Sequence, residues 1–317
     1  MLFKRNNKIL IFIFLIIIFI FFLSGLYYFK KNKCLNISNN LFNYFKLNFT
    51  CFYTNQVTEG EFIYSIQDNY SDYFRYTSII NKQKFECGRN KKLILVIGQS
   101  NAANEVRSFL YKSNNLNLYN GSCYLLSNPT LGATGGKDNI SVAISNYLNN
   151  NKYIFLTLAW SGSSILEWGS DKFSYLSSEI NKQLNYIKKN IDIIIWIQGE
   201  TDAKLFEKLD VEQGPMFFQK NGRENFYIKA FENIIDNLKL YINENTKIIL
   251  TKTSICDSKR SKLINAQQVK IANSSKNFFI IENTDNLNNN YRYDRCHLNE
   301  IGVDTTAKTI AELINLF

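Results

Sequence analysis

Leu93-Ile94-Leu95-Val96-Ile97-Gly98-Gln99-Ser100-Asn101 joins a continuous apolar run to an abrupt polar turn. The run at 93–97 has the length of a strand, and unbroken apolar strands are typically buried on both faces, as in a parallel sheet. The pattern of residues 102–111, directly after the turn, is compatible with a helix. This stretch therefore predicts strand, sharp turn and helix, the repeating unit of an α/β fold.

Four further apolar runs of broadly the same type follow along the chain, at residues 153–159, 191–197, 247–251 and 278–281. Helical patterns alternate with them, at roughly residues 173–189, 224–241, 260–273 and 300–317. The alternation predicts a three-layer α/β/α sandwich around a central parallel sheet. In such folds ligands bind at the carboxyl ends of the strands, so the loops that follow the apolar runs are the place to look for a site.

The N-terminus carries a separate signal. Residues 9–29 are almost entirely apolar, and a helix of ~20 apolar residues crosses ~30 Å of hydrocarbon. A cleaved signal peptide, the alternative, has a shorter apolar region that ends in small residues, whereas this one ends in Tyr27-Tyr28-Phe29 before two lysines. We predict a short basic tail at 1–8 and an uncleaved transmembrane signal anchor at 9–29. The rest of the chain would then lie outside the cytoplasm.

The rest of the chain has a modest net charge and begins with a weakly patterned segment. Six of the 37 basic residues flank the apolar segment, where no acidic residue occurs, so the remaining 31 face 27 acidic ones and leave +4. No basic stripe is interleaved with aromatics, and no nucleic-acid partner is expected. Residues 30–90 are predicted to be a stem or N-terminal elaboration, and residues 91–317 the catalytic domain.

The six cysteines form no CxxC pair, and the chain has a single histidine. A structural zinc site needs clustered Cys and His ligands, so neither a metal nor another cofactor is expected. Outside the cytoplasm some cysteines are candidates for disulfides, but the pairing does not follow from sequence. Cys296, next to the histidine, is an alternative nucleophile.

Four polar motifs follow the predicted strands or precede the last helix. They are Gly98–Asn101, Trp160–Ser164, Gln198–Asp202 and Asp294–His297. Each motif alone is commonly only a turn. Since all four fall where an open α/β site collects its residues, together they indicate one site.

The residue types in these motifs suit acyl transfer. Ser100, on the turn after the first strand, is the predicted nucleophile. His297 would take the serine proton and give it to the leaving alcohol, and Asp294 would orient the imidazole. The backbone N–H groups of Ser100 and Gly162 and the side-chain amide of Gln198 are the predicted donors to the oxyanion.

The motifs, taken in order, resemble those of the SGNH/GDSL hydrolase superfamily. More narrowly they resemble its sialate O-acetylesterase-like branch of carbohydrate acetylesterases, in which Gln-Gly-Glu, here 198–200, replaces the usual Gly-x-Asn-Asp block. The resemblance extends from about Leu93 to Leu316. It implies a flavodoxin-like sandwich, the triad and oxyanion hole named above, and metal-independent removal of acetyl groups from sugars.

Other residues near these motifs receive supporting roles. Asn101, Glu200 and Asp202 are predicted to support the loops or to bind substrate, with loop support favoured for the two acids. Trp160 and Trp168 are predicted to be core residues rather than a stacking surface for a sugar. Residues 203–223 are interpreted as an insertion that covers the site or contacts a polymer.

The leading hypothesis is a membrane-anchored serine esterase that hydrolyses O-acetyl esters on a surface or extracellular carbohydrate. An O-acyltransferase with the same triad is the first alternative, since a sugar hydroxyl can replace water in attacking the acyl-enzyme. A non-catalytic glycan-binding protein of the same fold is the second. The glycan, the acyl group and the oligomeric state do not follow from the sequence.

Overall fold

A mixed sheet of eight strands organises the described part of the chain. The computed structural model describes residues 83–148, 152–169, 175–186, 189–204, 225–257, 262–281 and 283–317. The strands are β1 Lys84–Phe85, β2 Lys92–Gly98, β3 Leu116–Tyr119, β4 Ser122–Leu125, β5 Tyr153–Ala159, β6 Ile193–Ile197, β7 Lys247–Thr251 and β8 Phe278–Ile281.

The strand order is β1-β4-β3-β5-β2-β6-β7-β8. The six strands from β3 to β8 in this order run parallel, while β4 and β1 add an antiparallel edge. The five predicted strands all lie in the parallel part, so the sheet predicted as parallel is the larger part of a mixed one. Because β2 lies between β5 and β6, the chain changes its winding direction at β2, the kind of switch point at which α/β folds bind ligands.

Helices contact one another in two groups. The helices are α1 Ile140–Tyr147, α2 Ile165–Gly169, α3 Tyr175–Asn185, α4 Phe226–Asn237, α5 Lys262–Ala272, α6 Asn283–Asn286 and α7 Glu300–Ile314, with a 3₁₀ turn at Asn289–Tyr291. Contacts join α1 to α7, and α2 through α5 to one another. The first group shares a buried apolar cluster with Ile94 and Val96 of β2.

The second group packs on aromatic residues of the opposite face. Trp196 of β6 meets Trp168 of α2 and Phe231 of α4 edge to face, with ring centroids 6.1 and 5.7 Å apart. Successive strand residues point to opposite faces, so Ile195 packs with the first group while Trp196 packs with the second. Helices therefore cover both faces of the sheet.

The predicted helix at 102–111 is wrong. Residues 100–105 form successive turns, and residues 107–114 have no regular structure. Buried Asn104 explains the difference, because its side chain accepts from Thr130 N–H at 2.8 Å and donates to the Thr130 and Ala133 carbonyls at 2.9 and 3.0 Å. Asparagine side chains that bond to distant backbone compete with helical hydrogen bonding.

The N-terminal predictions fall largely outside the described residues, which begin at residue 83. These predictions are the basic tail, the anchor at 9–29 and most of the stem. Strand β1 pairs with β4, so the sheet includes residues of the predicted stem. Within the described part of the chain, no helix is long and apolar enough to span a membrane.

Candidate active site

Three of the four motifs begin side by side because three strands end in register. Gly98, the last residue of β2, pairs with Ala159 of β5 on one side and with Ile197 of β6 on the other. A Cβ atom on Gly98 would lie 1.9 Å from the Ile197 carbonyl oxygen, so the close approach of β2 and β6 requires glycine here.

Ser100 lies in a tight turn at the end of β2. The N–H groups of Ala102 and Ala103 donate to the Gln99 carbonyl at 2.8 and 2.9 Å, which reverses the chain within a few residues. Ser100 is 4% exposed. Among the described residues, neither Ser100 N–H nor Gly162 N–H donates to a protein acceptor. Both amides are thus available to a ligand, and Gly162 adopts φ +73°, which favours glycine.

Asp294 and His297 form a tight pair in the loop before α7. The Asp294 Oδ2 atom lies 2.6 Å from His297 Nδ1, and Asp294 Oδ1 accepts from the N–H groups of His297 and Cys296 at 2.8 and 3.1 Å. Partial burial raises the Asp294 pKa, but these hydrogen bonds outweigh it and hold the pKa below its usual range. The ionised carboxylate is suited to fix the imidazole with its proton on Nδ1.

The other ring nitrogen points away from Asp294. His297 Nε2 lies 3.5 Å from Glu105 Oε2. Within the described residues, no hydrogen bond joins the Ser100 hydroxyl to the imidazole. The structure therefore brings Asp294 and His297 together directly, and it relates Ser100 to them through a third residue, Asn101.

Asn101 connects three of the motifs. Its Oδ1 atom accepts from Leu298 N–H at 3.1 Å, directly after the histidine. Its Nδ2 atom donates to Glu200 Oε1 at 3.2 Å and to Ser254 Oγ at 3.4 Å. Because Asn101 follows Ser100 in the chain, these bonds fix the serine turn relative to the histidine loop. The predicted supporting residues Asn101 and Glu200 are in direct contact.

Arg292 extends this network and was not found from the sequence. Its side chain is 5% exposed and donates to Ser254 Oγ at 3.4 Å, to the Leu287 carbonyl at 3.2 Å and to the Cys296 carbonyl. Burial lowers the Arg292 pKa, and the nearby Glu200 carboxylate partly offsets this effect. Nothing in the local sequence distinguishes Arg292 from a surface arginine, because its burial and its contact with Ser254 follow from the tertiary fold.

Gln198 and Asp202 lie in a buried network under the site. Gln198 Nε2 faces three acceptors, Asp202 Oδ2, the Ser163 carbonyl at 3.2 Å and Gln99 Oε1 at 3.4 Å. Its Oε1 atom accepts from Tyr227 Oη at 2.8 Å. An oxyanion bond from Gln198 needs its amide to exchange one of these acceptors for the substrate, so this role stays a prediction.

Asp202 ties the loop after β5 to the loop after β6. It accepts from Ser164 Oγ at 2.5 Å and from Ile165 N–H at 3.0 Å, in addition to Gln198. Full burial raises the Asp202 pKa to about 6, against the lowering effect of these bonds. Gln99 connects the turn after β2 to the loop after β6, because its Oε1 accepts from Thr201 N–H at 3.1 Å.

Cys296 is bonded to Cys256, and Cys87 to Cys123. Cys296 as the alternative nucleophile is therefore wrong, since a disulfide sulfur is no thiolate. The bond attaches the histidine loop to the segment after β7. Cys34 and Cys51 lie outside the described residues, as does nearly all of the predicted insertion at 203–223.

Trp160 and Trp168 are buried and meet edge to face with centroids 5.2 Å apart, which confirms them as core residues. Trp168 Nε1 also donates to Ser163 Oγ at 3.0 Å. In the part of the chain that is described, no group of three or more His, Cys, Asp or Glu side chains is arranged to hold a metal ion.

Solved structures of low sequence identity align with this chain. A protein from Arabidopsis thaliana aligns with a TM-score of 0.52 and 18% identity, covering 70% of this chain and 97% of its own. A catalytic mutant of an acetylxylan esterase from Geobacillus stearothermophilus aligns with a TM-score of 0.47 and 12% identity, covering 72% of this chain and 96% of its own. Among curated proteins, no match was found.

A family model described as carbohydrate esterase, sialic acid-specific acetylesterase, matches residues 139–315. The match spans more than half of the chain and includes Gly162, Gln198, Asp294 and His297. It begins after Ser100. The chain belongs to this family, a branch of the SGNH hydrolases, and is a carbohydrate esterase.

Proposed function

We propose that the protein hydrolyses O-acetyl esters of a carbohydrate through a Ser100-His297-Asp294 triad. Ser100 Oγ attacks the ester carbonyl carbon while its proton passes to His297 Nε2. The tetrahedral intermediate collapses as the bond from the carbonyl carbon to the sugar oxygen breaks, and the same proton passes to that oxygen, which leaves as a sugar hydroxyl. Water then attacks the acetyl-serine with His297 again as base, which releases acetate and restores Ser100.

The oxyanion of each tetrahedral intermediate needs donors already in position. The N–H groups of Ser100 and Gly162 have no protein acceptor among the described residues, and they follow adjacent strands. Removing one such donor typically costs about 3 kcal/mol of transition-state stabilisation. We assign these two amides as the primary donors and Gln198 as a third donor that engages when substrate is bound.

One observation carries this proposal. The Asp294–His297 pair, joined at 2.6 Å, belongs to a loop that Asn101 fastens to the serine turn through Leu298 N–H. A proton relay from serine to imidazole requires the histidine loop to be held next to the serine turn. A histidine with only a structural role does not require this arrangement. None of the contacts favours acyl transfer to a sugar over hydrolysis, so hydrolysis is the function that we propose.

We also propose that residues 9–29 anchor the protein in a membrane with the catalytic domain outside the cytoplasm. The two disulfides among the described residues support this compartment, since disulfides persist mainly in oxidising environments. Alkaline carbonate extraction of membranes and protease protection of intact cells test the proposal. Release of the intact chain by carbonate would contradict anchoring.

The function is tested by hydrolysis of 4-nitrophenyl acetate and of acetylated sugars. The full chain in detergent is compared with Ser100→Ala and His297→Ala, whose folding is checked by circular dichroism. We expect both folded variants to lose turnover to near the uncatalysed rate. A folded wild-type protein without activity, or a Ser100→Ala variant that retains activity, would overturn the proposal.

A further inference from the structure

Glu105 lies at the side of His297 where the substrate reacts. Its Oε2 atom is 3.5 Å from His297 Nε2, the nitrogen opposite the one held by Asp294. The two side chains are 25% and 20% exposed. In the proposed mechanism Nε2 exchanges a proton with Ser100 and with the leaving sugar oxygen. The Glu105 carboxylate therefore borders the position of the leaving group.

The surroundings of Glu105 hold it in this position. Tyr293 Oη donates to the Glu105 carbonyl at 2.6 Å, and the Tyr293 ring stacks on His297 with centroids 5.8 Å apart. On the other side, Gly135 adopts φ +88°, and a Cβ atom there would lie 2.8 Å from Glu105 Cγ and 2.5 Å from the Asn104 carbonyl oxygen. The stem of Glu105 thus passes over a residue that must be glycine.

The Glu105 carboxylate has unused capacity to accept hydrogen bonds. Within the described residues, no N–H or O–H group donates to it, and His297 Nε2, 3.5 Å away, carries no proton in the tautomer that Asp294 favours. The nearby cations contact Tyr293 instead of the Glu105 carboxylate. Arg107 and Lys137 lie 4.4 and 4.2 Å from the Tyr293 ring centroid, and Lys137 Nζ donates to the Tyr293 hydroxyl at 2.6 Å. A largely covered carboxylate gains from donors that a ligand brings, because its oxygens can accept several bonds.

We infer that Glu105 is a specificity-determining residue, which accepts a hydrogen bond from a free sugar hydroxyl next to the scissile ester. This inference rests on the proposed function. A partly acetylated sugar presents such a hydroxyl beside its ester oxygen, whereas an aryl acetate has none. Glu105 therefore favours sugar esters with a free neighbouring hydroxyl over simple acetates.

The test compares two probes with the full chain in detergent. The probes are 4-nitrophenyl acetate and a methyl glucopyranoside with one acetyl group and free neighbouring hydroxyls. For Glu105→Gln and Glu105→Ala we expect kcat/KM on the glycoside to fall about 10- to 100-fold, mainly through KM, the range of a hydrogen bond to a charged group. The aryl acetate, which presents no hydroxyl to Glu105, should lose much less activity than the glycoside in both variants. Glu312→Gln, exposed on α7, is the matched control and changes neither.

The outcomes separate this inference from the proposed function. Equal losses on both probes would mean that Glu105 acts on His297 rather than on the sugar, and would overturn the inference alone. Unchanged activity of both variants on the glycoside would also overturn it. A folded wild-type protein that hydrolyses neither probe would overturn the proposed function and this inference with it.

Discussion

At the scale of single residues, two buried or partly buried carboxylates in the site have pKa values shifted in opposite directions. Asp294 receives bonds from an imidazole and two backbone N–H groups, and its pKa falls. Asp202 is completely buried and its pKa rises to about 6 although three donors face it. The difference follows from solvation, since Asp294 is still partly exposed and Asp202 is not.

Asp294→Asn tests the orientation of the imidazole. An amide at this position presents an N–H or a weak acceptor to Nδ1 and favours the wrong tautomer. We expect kcat to fall about 10³- to 10⁴-fold with the fold intact, as in other serine triads. Steady-state kinetics measure it, with circular dichroism as the check on folding. A loss of less than tenfold would argue against a triad acid at this position.

The raised pKa of Asp202 predicts how the stability of the fold depends on pH. Its folded-state pKa is raised above the ordinary 3.8 to about 6, so the folded state binds the proton more tightly than the unfolded state. This contribution to stability is full below pH ~4 and is lost as the pH rises through ~6. Urea unfolding at pH 4 and pH 7 measures this. The contribution of Asp202 to the free energy of unfolding should be lost between pH 4 and pH 7 in the wild type, and this loss should be absent in Asp202→Asn. Asp236→Asn, exposed on α4, is the control and should retain the wild-type loss.

At the scale of structural elements, the ends of three adjacent parallel strands and one late loop make the site. Strands β5, β2 and β6 supply Gly162, Ser100 and Gln198 at neighbouring positions. The loop before α7 adds Asp294 and His297 and is not a strand of the sheet. It is held by backbone bonds from the N–H groups of Arg107 and Asp257, by the Cys256–Cys296 disulfide and by the side-chain bonds of Asn101 and Arg292.

Arg292→Met tests this attachment. The change keeps an apolar stem of similar length but removes the donors to the Leu287 and Cys296 carbonyls. We expect the histidine loop to shift and kcat to fall by about 10²-fold, which is what a misplacement of ~1 Å costs, while KM changes less. Arg295→Met, exposed on the same loop, serves as the control. If Arg292→Met keeps wild-type kcat in a folded protein, the network does not position the site.

The elements that could be predicted from the sequence are those with continuous apolar runs. Strands β2 and β5 to β8 were found because they form continuous apolar runs. Strands β3 and β4 were missed because Asn117 and Ser122 break up their short apolar segments, although Asn117 is buried and its amide bonds the Leu131 backbone. Helix α1 was also missed. The roles of Arg292 and Glu105 depend on tertiary contacts that no local pattern reveals.

At the scale of the whole molecule, the two disulfides among the described residues fix the chain at different places. Cys87–Cys123 joins residues 36 apart at the antiparallel edge of the sheet, and Cys256–Cys296 joins residues 40 apart beside the histidine. Closing a loop of either length removes unfolded-state entropy worth about 4 kcal/mol. The two disulfides should therefore stabilise the fold by similar amounts but differ in their effect on function.

Paired Cys→Ser variants separate these effects. Both Cys87→Ser/Cys123→Ser and Cys256→Ser/Cys296→Ser should lower Tm. Only the second pair should also lower kcat markedly in molecules that are still folded, because it releases the loop of Asp294 and His297. Kinetics well below each Tm measure this. Equal kcat values for the two pairs would contradict a positioning role for Cys256–Cys296.

The proposed mechanism requires Ser100 to be the activated nucleophile of this molecule. The most direct measurement is covalent labelling of the full chain with a fluorophosphonate, followed by mass spectrometry of its peptides. We predict near-stoichiometric phosphonylation of Ser100, a much slower reaction in folded His297→Ala, and none in Ser100→Ala. Failure of the folded wild-type chain to react, or labelling at another residue that survives Ser100→Ala, would rule out Ser100 as the nucleophile.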